Sequence, residues 1–263
     1  MVHIISYSGG KDSTATVFQF KEHWNELVKP GDRVIVIFVE IMFSYALGVS
    51  AHNPDTIQHI NRMKALFESW GMEFLILRSE KDYLDLFNHR IKRATKHSEH
   101  NGMRYGFGAG SSRCAVRRDL KMKPIEKFWR GIISSGEAYI SYVGIAADEK
   151  SRLESLHADP HNVSLLERYN ITEKDARDFC EKNGVLSPQY YLVRDDGTPQ
   201  KREGCFFCPE AKSCEMKRIK HAPEPQVRDA WSLFVSMEGA PDIAFNKWST
   251  HSDKTLHELD AEL

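Results

Sequence analysis

The stretch Ser6-Tyr7-Ser8-Gly9-Gly10-Lys11-Asp12-Ser13-Thr14 decides the fold, because it joins an apolar run at residues 2–5 to a segment with helical spacing. Two successive glycines can adopt backbone angles closed to other residues, so consecutive N–H groups can point into one concavity. The following helix adds its first-turn N–H groups and the positive end of its dipole, and Lys11 adds a full charge. The stretch therefore predicts a phosphate-binding turn between a strand and a helix.

This turn differs from a Walker P-loop. That motif, G-x-x-x-x-G-K-[ST], would need glycine where this chain has Ile5 and a hydroxyl residue where it has Asp12. An ordinary glycine-rich turn is the alternative interpretation. We predict nucleotide contacts from the following residues: Ser6, Ser8, Gly9, Gly10, Lys11, Asp12, Ser13 and Thr14.

Apolar runs alternate with amphipathic segments along the first half of the chain. Runs at 2–5, 34–39, 74–77 and 138–143 are typical of strands, and 13–27, 54–70 and 83–93 have helical spacing. Strands that are apolar on both faces and alternate with helices indicate a parallel sheet covered on both sides. We therefore predict an α/β fold with a doubly wound, mostly parallel sheet. Residues 1–155 would form the nucleotide-binding domain, and 156–263 a smaller helical region with cysteines, packed on the first.

Local signals predict several further elements. Asn53-Pro54 should begin a helix that stops at Gly71, and the T-x-x-D pattern at Thr172 should begin one that ends at Gly184. Residues 98–112 are expected to form a mobile loop and a candidate lid, 188–194 an extended segment, and 227–237 a helix. The acidic tail from Ser252 is expected to fray.

Polar residues follow the predicted strands at the edge where ligands bind in such sheets. Glu40 ends the second strand and could reach a ribose or a metal, although solvation alone would also explain it. Gly144 closes the fourth strand and is predicted to contact the nucleotide. Beyond it, Glu149 could hold Mg²⁺ and Arg152 could bind phosphate oxygens, although a Glu–Arg pair is also common on helix surfaces. The predicted catalytic residues are Lys11, Asp12, Glu149 and Arg152.

The chain has 263 residues, a hydrophobic content of 41% and a formal net charge of −1, which exclude a globally basic nucleic-acid coat. One segment, from Arg90 to Arg130, is nevertheless rich in lysine and arginine. It could hold a polyanion such as a nucleic acid, above all between Arg113 and Arg130, or simply be a solvated helix face. We see no apolar run typical of a signal peptide or a membrane span, so we expect a cytoplasmic protein without membrane association.

The spacing of the five cysteines suggests a metal site. Cys205 and Cys208 form C-x-x-C, Cys214 follows, and Cys114 is distant in sequence. Together they provide four sulfurs, enough for a [4Fe-4S] cluster or for Zn²⁺; a redox pair or inert thiols are the remaining alternatives. We expect Cys180 to be a buried apolar residue.

Five motifs occur in order between Ile4 and Met237: S-G-G-K-D-S, C-x5-L-K-x-K-P, G-I-A-A-D-E-x-x-R, T-E-x-D-A-x-x-F-C and G-C-F-F-C-P. This set resembles the phosphoadenylyl-sulfate (PAPS) reductase family of the PP-loop ATP pyrophosphatase superfamily. It looks closest to reductase-like proteins of phages and mobile elements, and more distantly similar to the sulfur-insertion subunit of DNA phosphorothioation systems. The resemblance implies an adenine nucleotide alpha hydrolase-like fold that binds ATP or an adenylyl sulfate.

Two departures from that family affect the expected chemistry. Sulfonucleotide reductases end in a Glu-Cys-Gly-Leu-His segment, whereas this chain has no cysteine after Cys214; cluster-bearing reductases have Cys-Cys where this chain has Cys114-Ala115. We therefore expect an enzyme that adenylates an acceptor with release of pyrophosphate, linked to sulfur transfer and to a sulfur donor or thiol-reductant protein. The alternatives are a thiol-dependent PAPS reductase and a non-catalytic nucleotide sensor with structural zinc.

Overall fold

A computed structural model describes residues 1–92, 99–108, 114–200, 204–248 and 254–263. The strands are β1 (Val2–Tyr7), β2 (Arg33–Val39), β3 (Met42–Ser44), β4 (Val49–Ser50), β5 (Glu73–Leu77), β6 (Arg104–Gly106), β7 (Tyr139–Val143), β8 (Asn162–Val163) and β9 (Ile243–Phe245). The α-helices are α1 (Lys11–Glu22), α2 (Trp24–Leu27), α3 (Pro54–Ser69), α4 (Tyr83–Asn88), α5 (Lys123–Ser135), α6 (Lys150–Leu156), α7 (Leu165–Arg168), α8 (Glu173–Lys182), α9 (Ser213–Lys220), α10 (Pro225–Ser236) and α11 (Leu256–Glu262). A π-helix (Arg117–Met122) precedes α5, and a 3-10 helix (Pro188–Tyr191) follows α8.

The chain divides into two compact units that alternate along the sequence. The first unit comprises Met1–Val39, Asp55–Leu77 and Ile125–Tyr191, and the second comprises Glu40–Pro54, Arg78–Pro124 and Leu192–Leu263. This division does not coincide with the predicted boundary after residue 155. The reason lies in α7 and α8, whose buried Leu165, Leu166 and Ala176 join the same hydrophobic cluster as Val17 and Phe20 of α1.

The first unit is built on a five-stranded sheet in the order β5-β2-β1-β7-β8, in which every described pair is parallel. Alternate residues of β1 enter different cores: Ile5 packs on one face and Ile4 on the other. Burial on both faces explains why these strands are continuous apolar runs. The predicted α/β fold with a doubly wound, mostly parallel sheet is therefore confirmed.

Strand register places the ends of three strands at one edge of this sheet. Tyr7 lies opposite Phe38, and Ser6 lies opposite Val143, so β1, β2 and β7 end together. The strand order changes direction on either side of β1, because β2 and β5 lie to one side and β7 to the other. Ligands of open α/β sheets bind in the crevice at such a point. The turns after β1 and β7 both reach it.

The second unit has an aromatic core rather than a large sheet. β3 pairs with β4, and β6 pairs with β9. The hydrophobic cluster of this unit includes the fully buried rings of Phe43, Tyr83, Phe207 and Phe234. Tyr83 stacks on Phe207 with ring centroids 3.9 Å apart. Aromatic packing therefore contributes much of the hydrophobic core of this unit.

Several local predictions were confirmed. α3 begins at Pro54 and ends before Gly71, which has a φ of +86°. α8 has the predicted capping box, in which Thr172 and Asp175 exchange side-chain and backbone hydrogen bonds. Cys180 is fully buried, as expected of a small core residue.

Other local predictions were wrong or incomplete. Residues 188–191 form a 3-10 helix instead of an extended segment. The predicted helix 13–27 is interrupted at His23, and the helix from Tyr83 ends at Asn88. Within 98–112, part of the predicted loop is strand β6, while Ser98 and residues 109–112 lie outside the described residues.

The tail does not fray where it is described: α11 has a capping box at Thr255, and Leu256 is fully buried. Its first residues, Ser252 and Asp253, are not among the described ones. No helix in the described part of the chain has the length and apolar content that a bilayer span requires.

Candidate active site and cysteine group

The turn after β1 is held by its own serines and requires glycine. Gly9 has a φ of +78°, and a Cβ there would lie 2.7 Å from Cδ1 of Ile60. The Ser8 backbone N–H donates to Oγ of Ser13 at 3.1 Å, and the Ser13 hydroxyl donates to the Gly10 carbonyl at 3.0 Å. A side chain at Gly9 would cost conformational strain and displace Ile60. The predicted turn from Ser8 to Ser13 is therefore present, and its own hydrogen bonds hold it.

Helix α1 begins at this turn without a side-chain N-cap, because Gly10 has none to offer. The phenol of Tyr190 compensates, accepting the Lys11 backbone N–H at 3.2 Å. Helix geometry leaves the N–H groups of Asp12 and Ser13 without an intrahelical acceptor. Such groups and the helix dipole favour an anion at this end of α1.

Gly144, at the end of β7, lies directly against the first turn of α1. A Cβ at this position would be 2.7 Å from the Ser13 nitrogen and 2.8 Å from the Asp12 carbonyl carbon. Real Cβ atoms do not approach backbone atoms that closely, so glycine is needed for β7 and α1 to meet. The structure therefore brings predicted site residues from 8–14 and from the end of β7 together.

The Lys11 ammonium lies between two carboxylates. Its Nζ donates to both carboxylate oxygens of Asp12 at 2.8 Å and to Oε1 of Glu173 at 3.0 Å. Burial lowers the pKa of Lys11, but these two carboxylates outweigh it, so the net shift is upward. Glu173 was not among the predicted site residues. The lysine is therefore protonated and held at the start of α1.

Glu149 and Arg152 form the predicted pair after β7. Oε2 of Glu149 accepts the Ala146 backbone N–H at 3.0 Å, and Oε1 accepts from Nη1 of Arg152 at 2.5 Å. The Arg152 side chain remains 55% exposed, whereas Glu149 is only 19% exposed. Two hydrogen bonds therefore fix the Glu149 carboxylate. The Arg152 side chain stays accessible to solvent.

Three carboxylates converge at this edge of the sheet. Ligand atoms of Asp12, Glu149 and Glu173 all lie within 4.8 Å of one another. Burial raises the pKa of Asp12; the charges of Glu173 and Glu149 raise it further, against the effect of Lys11. Mg²⁺ takes oxygen ligands at about 2.0–2.1 Å and is usually held by one or two carboxylates together with phosphates. Asp12 and Glu149 together fit Mg²⁺, and a cation there would relieve the mutual repulsion of the three carboxylates.

The other residues predicted to contact the nucleotide are Ser6, Thr14 and Glu40. Ser6 is a half-buried residue of β1, and Thr14 is buried on α1. Glu40 follows β2 in sequence but belongs to the second unit, where it accepts from Nε of Arg78 at 2.8 Å. A nucleotide role for Glu40 stays a prediction.

Three of the four predicted cysteine ligands lie near one buried ring in the second unit, and Cys114 and Cys205 pack against its hydrophobic cluster. Burial raises the pKa of Tyr83, and the nearby thiols of Cys205, Cys114 and Cys208 raise it further. The C-x-x-C turn is closed by a hydrogen bond from the Cys208 N–H to the Cys205 carbonyl at 2.8 Å. Cys114, Cys205 and Cys208 are all half-buried.

The two phenylalanines inside the C-x-x-C turn fix its position. The Phe206 N–H donates to the Ala51 carbonyl at 2.9 Å, and the Phe207 carbonyl accepts from Nε1 of Trp248 at 2.9 Å. Both rings are buried in the aromatic core. Cys205 and Cys208 therefore lie on a turn whose position is fixed by buried rings and backbone hydrogen bonds.

Cys214 lies in the first turn of α9, and burial raises the pKa of its thiol. In the described part of the chain, no three cysteine sulfurs lie within 4.8 Å of one another. The four-sulfur site therefore stays a prediction. Cys180 is a core residue of the first unit, and burial raises its pKa to about 12.

Residues 117–123 of the basic segment form the π-helix and the start of α5. Arg117, Arg118, Lys121 and Lys123 are all exposed. Asp119, the acid among them, pairs with Arg118 and Lys123. The predicted polyanion surface begins at Arg113, which lies outside the described residues.

Comparisons with known proteins give little further information. No protein-family model matches the chain, and no curated protein matches it. Among solved structures, the U34-tRNA thiolase NcsA from Methanococcus maripaludis with its [4Fe-4S] cluster is similar at 13% sequence identity and a TM-score of 0.42, over 99% of this chain and 80% of that chain. A likeness this weak carries no conclusion about function.

Proposed function

We propose that the first unit binds ATP at the turn after β1 and catalyses adenylation of an acceptor, as a member of the PP-loop ATP pyrophosphatase superfamily. The observation that carries the proposal is the convergence of Lys11 and three carboxylates at the start of α1. The motif resemblance supports the same assignment, including the finer one to the PAPS reductase family and its phage relatives.

In this proposal the chain acts mainly by positioning and charge neutralisation. The N–H groups at the start of α1, Lys11 and Arg152 hold the polyphosphate and stabilise the charge that develops on it. An acceptor oxygen attacks the α-phosphorus, a new P–O bond forms, and the bond to the β-phosphate oxygen breaks as pyrophosphate leaves. Asp12 and Glu149 would hold Mg²⁺, which when bound supplies Lewis-acid stabilisation of the phosphate oxygens.

Local charge favours a metal-bound nucleotide. Three carboxylates face two cationic groups, Lys11 and Arg152, so the group is net negative without a metal. A free polyphosphate would be repelled by that excess. We therefore expect nucleotide binding to require a divalent cation.

Pyrophosphate release from ATP tests the proposal. Lys11→Ala should abolish it, while Lys64→Ala serves as a control that leaves it unchanged, because Lys64 lies on α3 and pairs with Glu68. Full pyrophosphate release by Lys11→Ala would contradict the assignment. Tight nucleotide binding with no product under any condition would instead favour a sensor, and sulfite release from an adenylyl sulfate without ATP would favour a reductase.

For the second unit we propose a metal site made of Cys114, Cys205, Cys208 and Cys214, with a [4Fe-4S] cluster as the preferred occupant and Zn²⁺ as the alternative. The packing of Cys114 and Cys205 against one aromatic cluster, and the closed turn that joins Cys205 to Cys208, support it. A bound iron–sulfur cluster would supply reduced sulfur for displacement of AMP from the adenylated acceptor. A sulfur donor or thiol-reductant protein would then be a partner.

A nucleic acid is our proposal for the acceptor. The exposed basic residues of the π-helix and α5 support it, because neutralising backbone phosphates requires such a row of lysines and arginines. Arg117 and Lys121 are separated by four positions, and the acid between them, Asp119, pairs with other cations. These two residues are therefore the best candidates for phosphate contacts.

A further inference from the structure

The contact between Glu173 and Lys11 joins two residues that are 162 positions apart. Glu173 is the first residue of α8, and the capping box of Thr172 and Asp175 fixes the start of that helix. Its own backbone N–H donates to Oδ1 of Asp148 at 3.0 Å. The capping box and the hydrogen bond to Asp148 both fix the N-terminus of α8. The Glu173 carboxylate is therefore held at the start of α1.

Lysine needs such an anchor to serve as a fixed charge. Its side chain has four rotatable bonds, so an unrestrained lysine would occupy many positions. Here the Lys11 side chain is only 13% exposed, held between Asp12 and Glu173. Adjacent residues of a helix do not normally face each other, so Asp12 alone does not explain this placement.

We infer that Glu173 is a positioning residue that holds the Lys11 ammonium at the nucleotide phosphates, and that Asp148 places Glu173 through its backbone. The inference rests on the proposed function and extends it to a residue that lies outside the turn and does not touch the reacting atoms. Glu173 acts through Lys11, and its effect disappears when the lysine is removed. Pre-organisation of this kind lowers the cost of binding without adding a contact to the ligand.

A double-mutant cycle tests this role. We expect Glu173→Ala to raise the KM for ATP in pyrophosphate release about tenfold, typical of a lost charged hydrogen bond, with kcat changed less. Glu173→Gln, which keeps a neutral acceptor, should raise it less. In a Lys11→Ala background, Glu173→Ala should cause no further loss of ATP binding, measured by equilibrium titration with MgATP.

Glu181→Ala is the matched control, since Glu181 is an exposed acid on the same helix. Equal losses from Glu173→Ala with and without Lys11 would overturn the inference, because a merely structural role is independent of the lysine. Tighter ATP binding by Glu173→Ala would also overturn it, since Glu173 would then compete with phosphate for Lys11. If wild type bound no ATP, the proposed function would fail instead.

Discussion

Gly144 lies so close to Ser13 that a Cβ on the glycine would be 2.7 Å from the serine nitrogen. The atoms it would meet belong to the backbone of the first helical turn and cannot rotate away. β7 and α1 are therefore in direct contact at the predicted phosphate site, and no larger residue can replace the glycine without moving one of them.

Gly144→Ala should therefore weaken both folding and nucleotide binding. We expect a loss of about 1–3 kcal/mol in the free energy of unfolding, as for other overpacked sites, because the start of α1 must shift. Chemical denaturation measures the first effect, and MgATP titration measures the second.

The control is Gly131→Ala in α5, where a Cβ would meet no atom within 4 Å. Alanine is favoured over glycine by about 1 kcal/mol in a helix, so this variant should be neutral or stabilised. Equal behaviour of the two variants would show that the Gly144 contact is not tight.

Titration of His59 gives a second prediction. This histidine on α3 is 4% exposed, and burial, assisted by Arg62, lowers its pKa to about 4. The unfolded chain takes up a proton near pH 6.5, whereas the folded one does so only near pH 4. The unfolded state thus binds more protons in this window, so stability falls as pH decreases from about 6.5 to 4 and levels off below.

We expect His59→Gln to remove about 2 kcal/mol of that pH dependence. Urea unfolding of wild type and variant at pH 7 and at pH 4.5 measures the difference. An identical loss of stability in both proteins on acidification would exclude His59 as the titrating group.

Local patterns predicted the parts of this structure that depend on neighbouring residues. The strand runs, the glycine turn, the helix start at Pro54 and the Thr172 capping box are all set by residues within a few positions of one another. The α11 capping box at Thr255 was equally visible, since T-x-x-E stands in the sequence, but the acidic composition of the tail obscured it.

Contacts between distant segments could not be predicted in the same way. Glu173 and Tyr190 reach Lys11 from positions 162 and 179 residues away. The T-E-x-D motif predicted an acidic residue, Glu173, at a helix start. No pattern in the sequence indicated a role for Tyr190. The division of the chain into two units that alternate along the sequence likewise depends on which apolar faces pack together. Sequence periodicity does not specify which faces these are.

The cysteines provide a prediction that separates iron from zinc. Protein purified without oxygen should contain iron and show a broad visible absorption band, and Cys205→Ser or Cys208→Ser should lose most of both. Metal analysis and absorption spectra measure this directly. Cys180→Ala is the control, since that thiol is buried in the first unit.

Colourless wild-type protein with stoichiometric zinc would contradict the cluster and leave a structural metal. Unchanged metal content in both serine variants would remove the C-x-x-C turn from the site altogether.

The π-helix gives the last prediction, because its cations are exposed and only partly paired. Arg117→Ala combined with Lys121→Ala should weaken binding of a nucleic acid uniformly across sequences. The slope of log affinity against log salt concentration should decrease by about 2, one for each phosphate that is no longer neutralised. Fluorescence anisotropy with a labelled RNA and a labelled DNA between 50 and 200 mM salt, a range of about fourfold, measures this slope. Lys174→Ala with Lys182→Ala on α8 is the matched control, equal in charge and exposed, and should leave the slope unchanged. If both double variants reduce affinity equally, the effect is one of net charge and the π-helix is a solvated surface.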